Sequence, residues 1–340
     1  MKYYFPTLLV LALVLGPATG AANAQKIHEI HPTPATVHYG YFDAAVTPAI
    51  TIDSGDIVKL WTATGHPKYF EELGLAKEKI PAELFTAFAG VKGSARGDQT
   101  LDGPIYVRGA EIGDTIEVKI RAIELWLPLA AMSFRAGRGS IPEEFPYSRD
   151  KVLWIDVDKK TVDFAPGIVI PTKPFWGNIG VAPPLSMGRI NASIPGVHGG
   201  NMDNHDLQPG TSLFLPVHAT GALLSVADGH AAQGNGEVGQ SAIETSLQGE
   251  IQIILHKGVK TRWPRAETPT HYMSIGLDPD LNLAAKMAIK EMLIFLTETK
   301  GLPRDDAYML MSATMDLHVT QVVDITKGVH AMIPKAIFRK

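Results

Sequence analysis

Residues 49–61 read Ala49-Ile50-Thr51-Ile52-Asp53-Ser54-Gly55-Asp56-Ile57-Val58-Lys59-Leu60-Trp61. Two alternating runs with β-branched residues flank an Asp-Ser-Gly-Asp turn, the pattern of strand, turn, strand. The device recurs. Ile105-Tyr106-Val107 and Ile112-Gly113-Asp114 lead into Thr115-Ile116-Glu117-Val118-Lys119-Ile120, and Gln208-Pro209-Gly210 leads into Thr211 to Val217. Short strands punctuated in this way predict a mainly β protein of the sandwich or jelly-roll kind. Beyond Ile251–Leu255, itself read as a strand, the period changes. Asp278-Pro279 offers an N-cap and a first-turn proline, and Leu281, Ala284, Ala285, Ala288, Met292, Phe295 and Leu296 recur at helical spacing until Gly301 and Pro303. A shorter helix is expected from Arg304 to about Ala313, then a strand over Leu317–Val323. The expected organisation is a jelly-roll-like β-sandwich over 25–255 and a C-terminal α+β portion over 256–340 packed on it, with no clean linker between them.

Composition narrows the chemistry. The chain has no cysteine, which removes disulfides, zinc-thiolate sites and thiol nucleophiles, nitrilase-type amidases among them. With 31 Lys and Arg against 35 Asp and Glu, and no block of like charge, nothing points to nucleic acid or an anionic membrane as partner. A small neutral ligand fits better. Met1 to Ala24 reads as a removed export signal: Lys2, an apolar run over Leu8–Leu15, a break at Gly16-Pro17 and the small-x-small ending Ala22-Asn23-Ala24. The product is expected to be exported, periplasmic in a Gram-negative source, and free of the membrane after cleavage.

The functional signal lies between Arg189 and Lys257. No lysine or arginine occurs there, yet the interval holds Asp203, Asp206, Asp228, Glu237, Glu244 and Glu250, and His198, His205, His218, His230 and His256. Converging acids without cationic partners repel one another, and burying them unpaired is costly; a divalent metal resolves the conflict. Two clusters are candidate ligand sources, His198 to Asp206 and Asp228 to Glu237. Asp228 and His230, two apart, would project from one side of an extended chain. Imidazole with carboxylate suits zinc, while carboxylate with amide and backbone oxygen suits a structural calcium. The glycine-, proline- and asparagine-rich stretch 172–240 reads as a loop-dominated binding surface or lid. His38 could line a pocket; His66, His271 and His330 read as surface or satisfied core residues, and the five tryptophans as packing. Neither a Gly-x-Ser-x-Gly elbow nor a phosphate loop occurs, and Lys92-Gly93-Ser94-Ala95-Arg96-Gly97 does not reproduce the Ser-Ser-Lys amidase signature.

Several longer motifs occur in order: Gly103-Pro104 with Gly109-Ala110-Glu111, Gly180-Val181-Ala182-Pro183-Pro184, Pro195 to Asp203, Gly221 to Glu237, Ala242-Ile243-Glu244, Ser312 to Asp316 and Val329 to Pro334. Together they resemble the acetamidase/formamidase family over most of the chain. The resemblance implies hydrolysis of a short aliphatic amide such as formamide or acetamide to acid and ammonia, a jelly-roll-like β domain with an α+β C-terminal part, and a homodimer or higher homo-oligomer. Three positions depart from it: Asn235 stands where many relatives have aspartate, Gly239 where they have cysteine, and no histidine precedes the Leu101-Asp102-Gly103-Pro104 turn. The export signal also differs from cytoplasmic members.

Residue chemistry then assigns expected roles. Asp203, Asp228 and His230 hold the metal. Glu237 orients or deprotonates the attacking water, with Glu244 able to exchange that job, and His198 protonates the departing ammonia. Asn201 and Gly199 donate to the oxyanion, with His38 as a further substrate contact. Two other readings of the same residues are an exported binding or structural protein without turnover, and a hydrolase of a larger amide, a carbamate or a urea-like compound.

Overall fold

The computed structural model describes residues 25–89 and 99–339; the Met1–Ala24 segment read as an export signal and the Lys92–Gly97 stretch lie outside the described residues. Strands make up 41% of the described residues and helices 16%, so the mainly β expectation holds. The longest strand, Thr115–Phe134, pairs antiparallel with Glu244–His256, Ser212–Pro216 and Arg149–Asp156. Glu244–His256 pairs on its other edge with Ile57–Thr62, which runs parallel to Ile27–Ile30. A second group centres on Leu224–His230, flanked by Thr100–Val107 and Phe175–Gly180, the latter carrying Gly199–Asn201 on its far edge. The two groups meet where His230 opposes Glu244. One cluster of buried residues, among them Val58, Leu60, Ile105, Ile120, Trp176, Leu213, Val226 and Ile253, draws on strands from both groups. Each such aliphatic side chain contributes about 1.5–3 kcal/mol by leaving water.

The Asp-Ser-Gly-Asp stretch is a turn between strands Ile50–Ile52 and Ile57–Thr62, as its sequence predicts, but these strands do not pair with each other. Ile50–Ile52 lies parallel to Ile105–Val107, while the Gly55 amide donates to Ile253 O at 2.7 Å and so delivers the following strand to Glu244–His256. The same holds after Val107: the turn at Gly113-Asp114 passes the chain to different neighbours. The 172–240 stretch is also more regular than its composition suggests. Strands Phe175–Gly180, Gly199–Asn201, Ser212–Pro216 and Leu224–His230 run through it, and its glycines let backbones approach where a loop surface was expected.

The C-terminal portion continues the sheet. Arg265–Glu267 pairs with Ser212–Pro216, then His271–Asp278, Lys327–Pro334 and Asp316–Gln321 follow in turn. Helix Leu281–Glu298 is capped by Asp280 rather than Asp278: the Asp280 carboxylate accepts from the amides of Asn282 and Leu283, and Asp278 holds the Asp280 amide. Gly276 lets this helix lie on its strand, because a Cβ there would stand 2.0 Å from Ala284 O. Helix Arg304–Thr314 follows as expected. No helix among the described residues is long and apolar enough to cross a membrane.

Candidate active site

The centre is built on the end of strand Leu224–His230. Its neighbour Phe175–Gly180 pairs Asn178 with Ala227 and Trp176 with Gly229, so Gly177 lies beside Asp228. On the other edge of Phe175–Gly180, Asn178 pairs with Asn201, and two residues on the Asp203 amide donates to Gly177 O at 3.1 Å. Gly177 is thus the floor. A Cβ there would stand 2.4 Å from Asp203 Oδ1, 2.6 Å from His230 Cε1 and 2.9 Å from Asp228 Oδ2. The ladder opposite His230 brings Glu244, whose Oε1 accepts from the Ala242 amide. Glu237 follows Gly236, which bridges to Gln321, and Asp324 follows that strand with its amide on Gln321 Oε1. Asp203, Asp228 and Glu237 all adopt positive φ, of 50°, 61° and 45°. Such conformations cost about 1–3 kcal/mol each and persist where the surroundings enforce them, as at functional sites.

Three overlapping groups result: Asp203, Asp228 and His230; His230, Glu237 and Glu244; Asp203, Glu237 and Asp324. Within each, one potential ligand atom per residue lies within 4.8 Å of the others. Among the described residues no Lys or Arg pairs with any of these five acids; only His230 does, with Nε2 3.1 Å from Glu244 Oε2 and 3.4 Å from Asp228 Oδ2. Neither contact has the alignment of a hydrogen bond, and both ring nitrogens and Asp203 Oδ1 are buried without a hydrogen-bond partner. Close approach without alignment is what atoms aimed at a common third point show: tetrahedral zinc, with bonds of about 2.0–2.2 Å, sets its ligands roughly 3.4 Å apart. These residues therefore fit a cation.

The electrostatics agree. Burial drives the Asp203 carboxyl well above its usual range, and Glu237, Asp324 and Asp228 push it further. Glu237 is raised in the same way by burial, then by Glu244, Asp324 and Asp228. Burial raises Glu244, with His230 opposing, and lifts Asp324 to about 6. For His230 burial would lower the imidazole, but Glu244 and Asp228 outweigh it and hold the ring well above its ordinary value. An amide frame aligns the acids. Asn201 Nδ2 donates to Asp203 Oδ2 and Asp324 Oδ2, both at 2.9 Å, and Gln99 Nε2 donates to Asn201 Oδ1 at 2.8 Å and Asp228 Oδ2 at 3.0 Å. Asp228, Glu237, Glu244, Asp324, Gln99 and Asn201 open onto a cavity of about 440 Å³.

Comparison with known proteins places this architecture. The model of the Acetamidase/Formamidase family matches residues 191–340. A formamidase of Methylophilus methylotrophus is 27% identical over 312 residues, covering 70% of this chain and 76% of that protein. Alignment with a Schizosaccharomyces pombe relative is 27% identical over 216 residues, 47% of this chain, and spans about half, 52%, of that longer protein. The crystal structure of an acetamidase from Bacillus halodurans is 30% identical, with a TM-score of 0.76, and the match covers 91% of this chain and 98% of that one. The chain belongs to the acetamidase/formamidase family.

Within this family member, the predicted site residues divide. Asp203, Asp228, His230, Glu237 and Glu244 converge. Asn201 is present, but both of its amide contacts go to carboxylates, which leaves it framing acids instead of facing an oxyanion. His198 is fully buried against Phe42, off the cavity, with burial lowering its pKa to about 3, so it cannot serve as the proton donor expected of it. Gly199 is buried in the ladder with Gly180. His38 is tied to Ser225 Oγ at 2.8 Å and Tyr41 O at 3.0 Å, and faces no part of the cavity. His66, read as surface or core, lines the cavity instead. His330 is a satisfied core residue, bonded to Thr320 Oγ1 and Asp206 Oδ2. Asn235 is exposed and 3.3 Å from His318 Nδ1, away from the acids, so its departure from the family pattern leaves the centre intact.

Sequence reasoning missed Gly177, Gln99 and Asp324. A glycine inside a strand, in Phe175-Trp176-Gly177, is the one available signal, since it marks close backbone approach. Asp324 sits in an ordinary turn and Gln99 in no motif.

Proposed function

We propose that this chain hydrolyses linear amides to carboxylic acid and ammonia, formamide and acetamide being the smallest of the class, with a divalent metal held by Asp203, Asp228 and His230. The observation that supports it is the convergence of five carboxylates and one imidazole without a paired Lys or Arg among the described residues. Five acids alone would repel the oxyanion that amide hydrolysis develops. Bound there, a metal would lower the pKa of a coordinated water towards about 7 and polarise the amide carbonyl. Imidazole among the donors favours zinc, with calcium as an alternative or a structural ion.

The protein's own groups account for the protons. Glu237, whose basicity burial and neighbouring acids raise, stands beside Asp203 and His230 in the same cluster and is suited to take a proton from the attacking water. The hydroxyl joins the carbonyl carbon, the C–N bond breaks, and the same Glu237 carboxyl returns the proton to the departing nitrogen, giving acid and ammonia. This replaces His198, which the fold sequesters. Glu244, with Oε1 held by the Ala242 amide, keeps Oε2 3.1 Å from His230 Nε2 and so adds a further carboxylate oxygen beside the imidazole. Asn201 and Gln99 keep the acid oxygens aimed inward. Export on the Met1–Ala24 signal and assembly as a homo-oligomer belong to the same proposal.

The test is ammonia release by the purified chain from formamide and acetamide, with metal content measured in parallel. Activity lost on chelation and restored by zinc supports the reading. Undiminished turnover by metal-free protein, or by Asp228→Ala, overturns it.

A further inference from the structure

The proposed reaction uses only the acidic part of the cavity. Counted as the cavity is, with roughly 10–15 Å³ per water-sized group, the four heavy atoms of acetamide need on the order of 50 Å³. The cavity holds about 440 Å³. Most of it is left over, at a size otherwise suited to larger ligands.

The remainder carries no acid: Arg135, Arg138, Gln240 and several Ser and Thr side chains line it beside an aromatic group. Tyr39, His66, Tyr69, Phe70 and Phe88 contribute, together with Met132. All but Met132 and Tyr39 come from residues 63–89, between strands Ile57–Thr62 and Thr100–Val107, where helices Pro67–Glu72 and Ala82–Ala87 form. That segment is anchored from behind. Phe70, Leu84, Ala87 and Phe88 share one buried cluster with Leu127, Leu129 and Ala131 of the longest strand. The Tyr69 hydroxyl donates to Asp150 Oδ1 at 2.8 Å, and Arg135 holds the same oxygen at 2.6 Å. Phe88 lies 5.0 Å from the His66 ring, centroid to centroid, and Tyr69 5.4 Å from Phe70. His66 Nδ1 accepts the Lys68 amide at 3.1 Å, which leaves the proton of the neutral ring on Nε2. The result is an aromatic wall that includes one imidazole N–H donor, with Phe70 and Phe88 held by the buried cluster and Tyr69 by Asp150; such a wall binds a flat ring at little ordering cost.

We infer that the Tyr39, His66, Tyr69, Phe70 and Phe88 wall is a specificity site for a ring-sized apolar acyl group, so that aryl amides of the benzamide type are preferred to acetamide. This rests on the hydrolase reading for its reaction, and names the substrate class of the same site.

The test compares kcat/KM for ammonia release from benzamide and acetamide by the zinc-loaded chain, alongside calorimetric titration of the chelated chain with each amide. The expected result is a benzamide to acetamide ratio of at least about tenfold, falling roughly tenfold in Phe88→Leu, which removes the ring, and in Met132→Trp, which fills the space. Melting curves establish that each variant is folded, and if Phe88→Leu is not, Met132→Trp decides. A preference for acetamide, or a ratio unmoved by a folded variant, overturns the inference. If no amide releases ammonia, the hydrolase reading fails, and the titration decides the wall by itself: benzamide binding weakened by Met132→Trp upholds it, and no binding, or binding that Met132→Trp leaves unchanged, overturns it.

Discussion

Asp114 and Asp203 are both nearly inaccessible, 5% and 1% exposed, yet they behave oppositely. Asp114 accepts from Lys257 Nζ at 2.8 Å, from the Gly258 amide at 2.8 Å and from the Glu111 amide at 2.9 Å. Burial works against its charge, but these donors win and its pKa is lowered. Glu117 nearby is satisfied likewise by Ser212 and His256. Around Asp203 the neighbours are more acids, and its pKa is raised. Burial therefore does not distinguish a functional acid from a structural one; the identity of its partners does.

Predictions that test this contrast run from large effects to small. Asp228→Ala should reduce ammonia release at least about 10³-fold, equivalent to about 4 kcal/mol, while Asp114→Ala leaves kcat within about threefold, as steady-state assays would show. Gly177→Ala places a methyl 2.4 Å from Asp203 Oδ1, so zinc affinity measured with a competing chelator should fall about 10–100-fold. Gly113→Ala, with φ +94° and open space around it beside Asp114, should cost only about 1 kcal/mol of stability and no metal affinity.

The third prediction concerns pH. His38 and His198 are held neutral, chiefly by burial, with pKa values of about 4 and about 3. The unfolded rings bind protons below about 6.5, where the folded ones do not, so stability present above pH 6.5 is lost as pH falls towards these folded values. Urea titrations should show a loss of about 2 kcal/mol for each ring between pH 7 and pH 5, and His198→Gln should flatten that slope by one ring's share. Asp114, whose folded pKa lies below its unfolded one, should lose its contribution only below about pH 4. The smallest effect separates the two acids most directly. In chelated protein Asp203→Asn should raise the melting temperature by about 2–4 °C by relieving repulsion, whereas Asp114→Asn should lower it by a similar amount in a thermal scan.

The sequence makes the acids legible because their interval lacks local cations, and four of the six remain without one among the described residues. The other two show the limit of that signal: Asp206 finds Lys173 and Glu250 finds Lys59 and Arg121, all from outside the interval. Strands were readable from alternation, but not their neighbours, since the Asp53–Asp56 turn looks like a hairpin and acts as a crossing between ladders. His198 resembles His230 in its glycine-rich setting; only the ladder position, one facing Phe42 and the other Glu244, separates them. The helical region was legible to within a turn because capping and period are local.

The strand pairings carry a kinetic consequence. Ile57–Thr62 meets Glu244–His256, and Thr100–Val107 meets Leu224–His230, across more than a hundred intervening residues. Chains that must close such distant contacts fold slowly, because the entropy of closure precedes any reward. Gln99, Gly177, Asp203, His230 and Asp324 share no local segment, so an ion held there as proposed would be captured only once the polypeptide has finished assembling, and would lock the finished architecture instead of nucleating it.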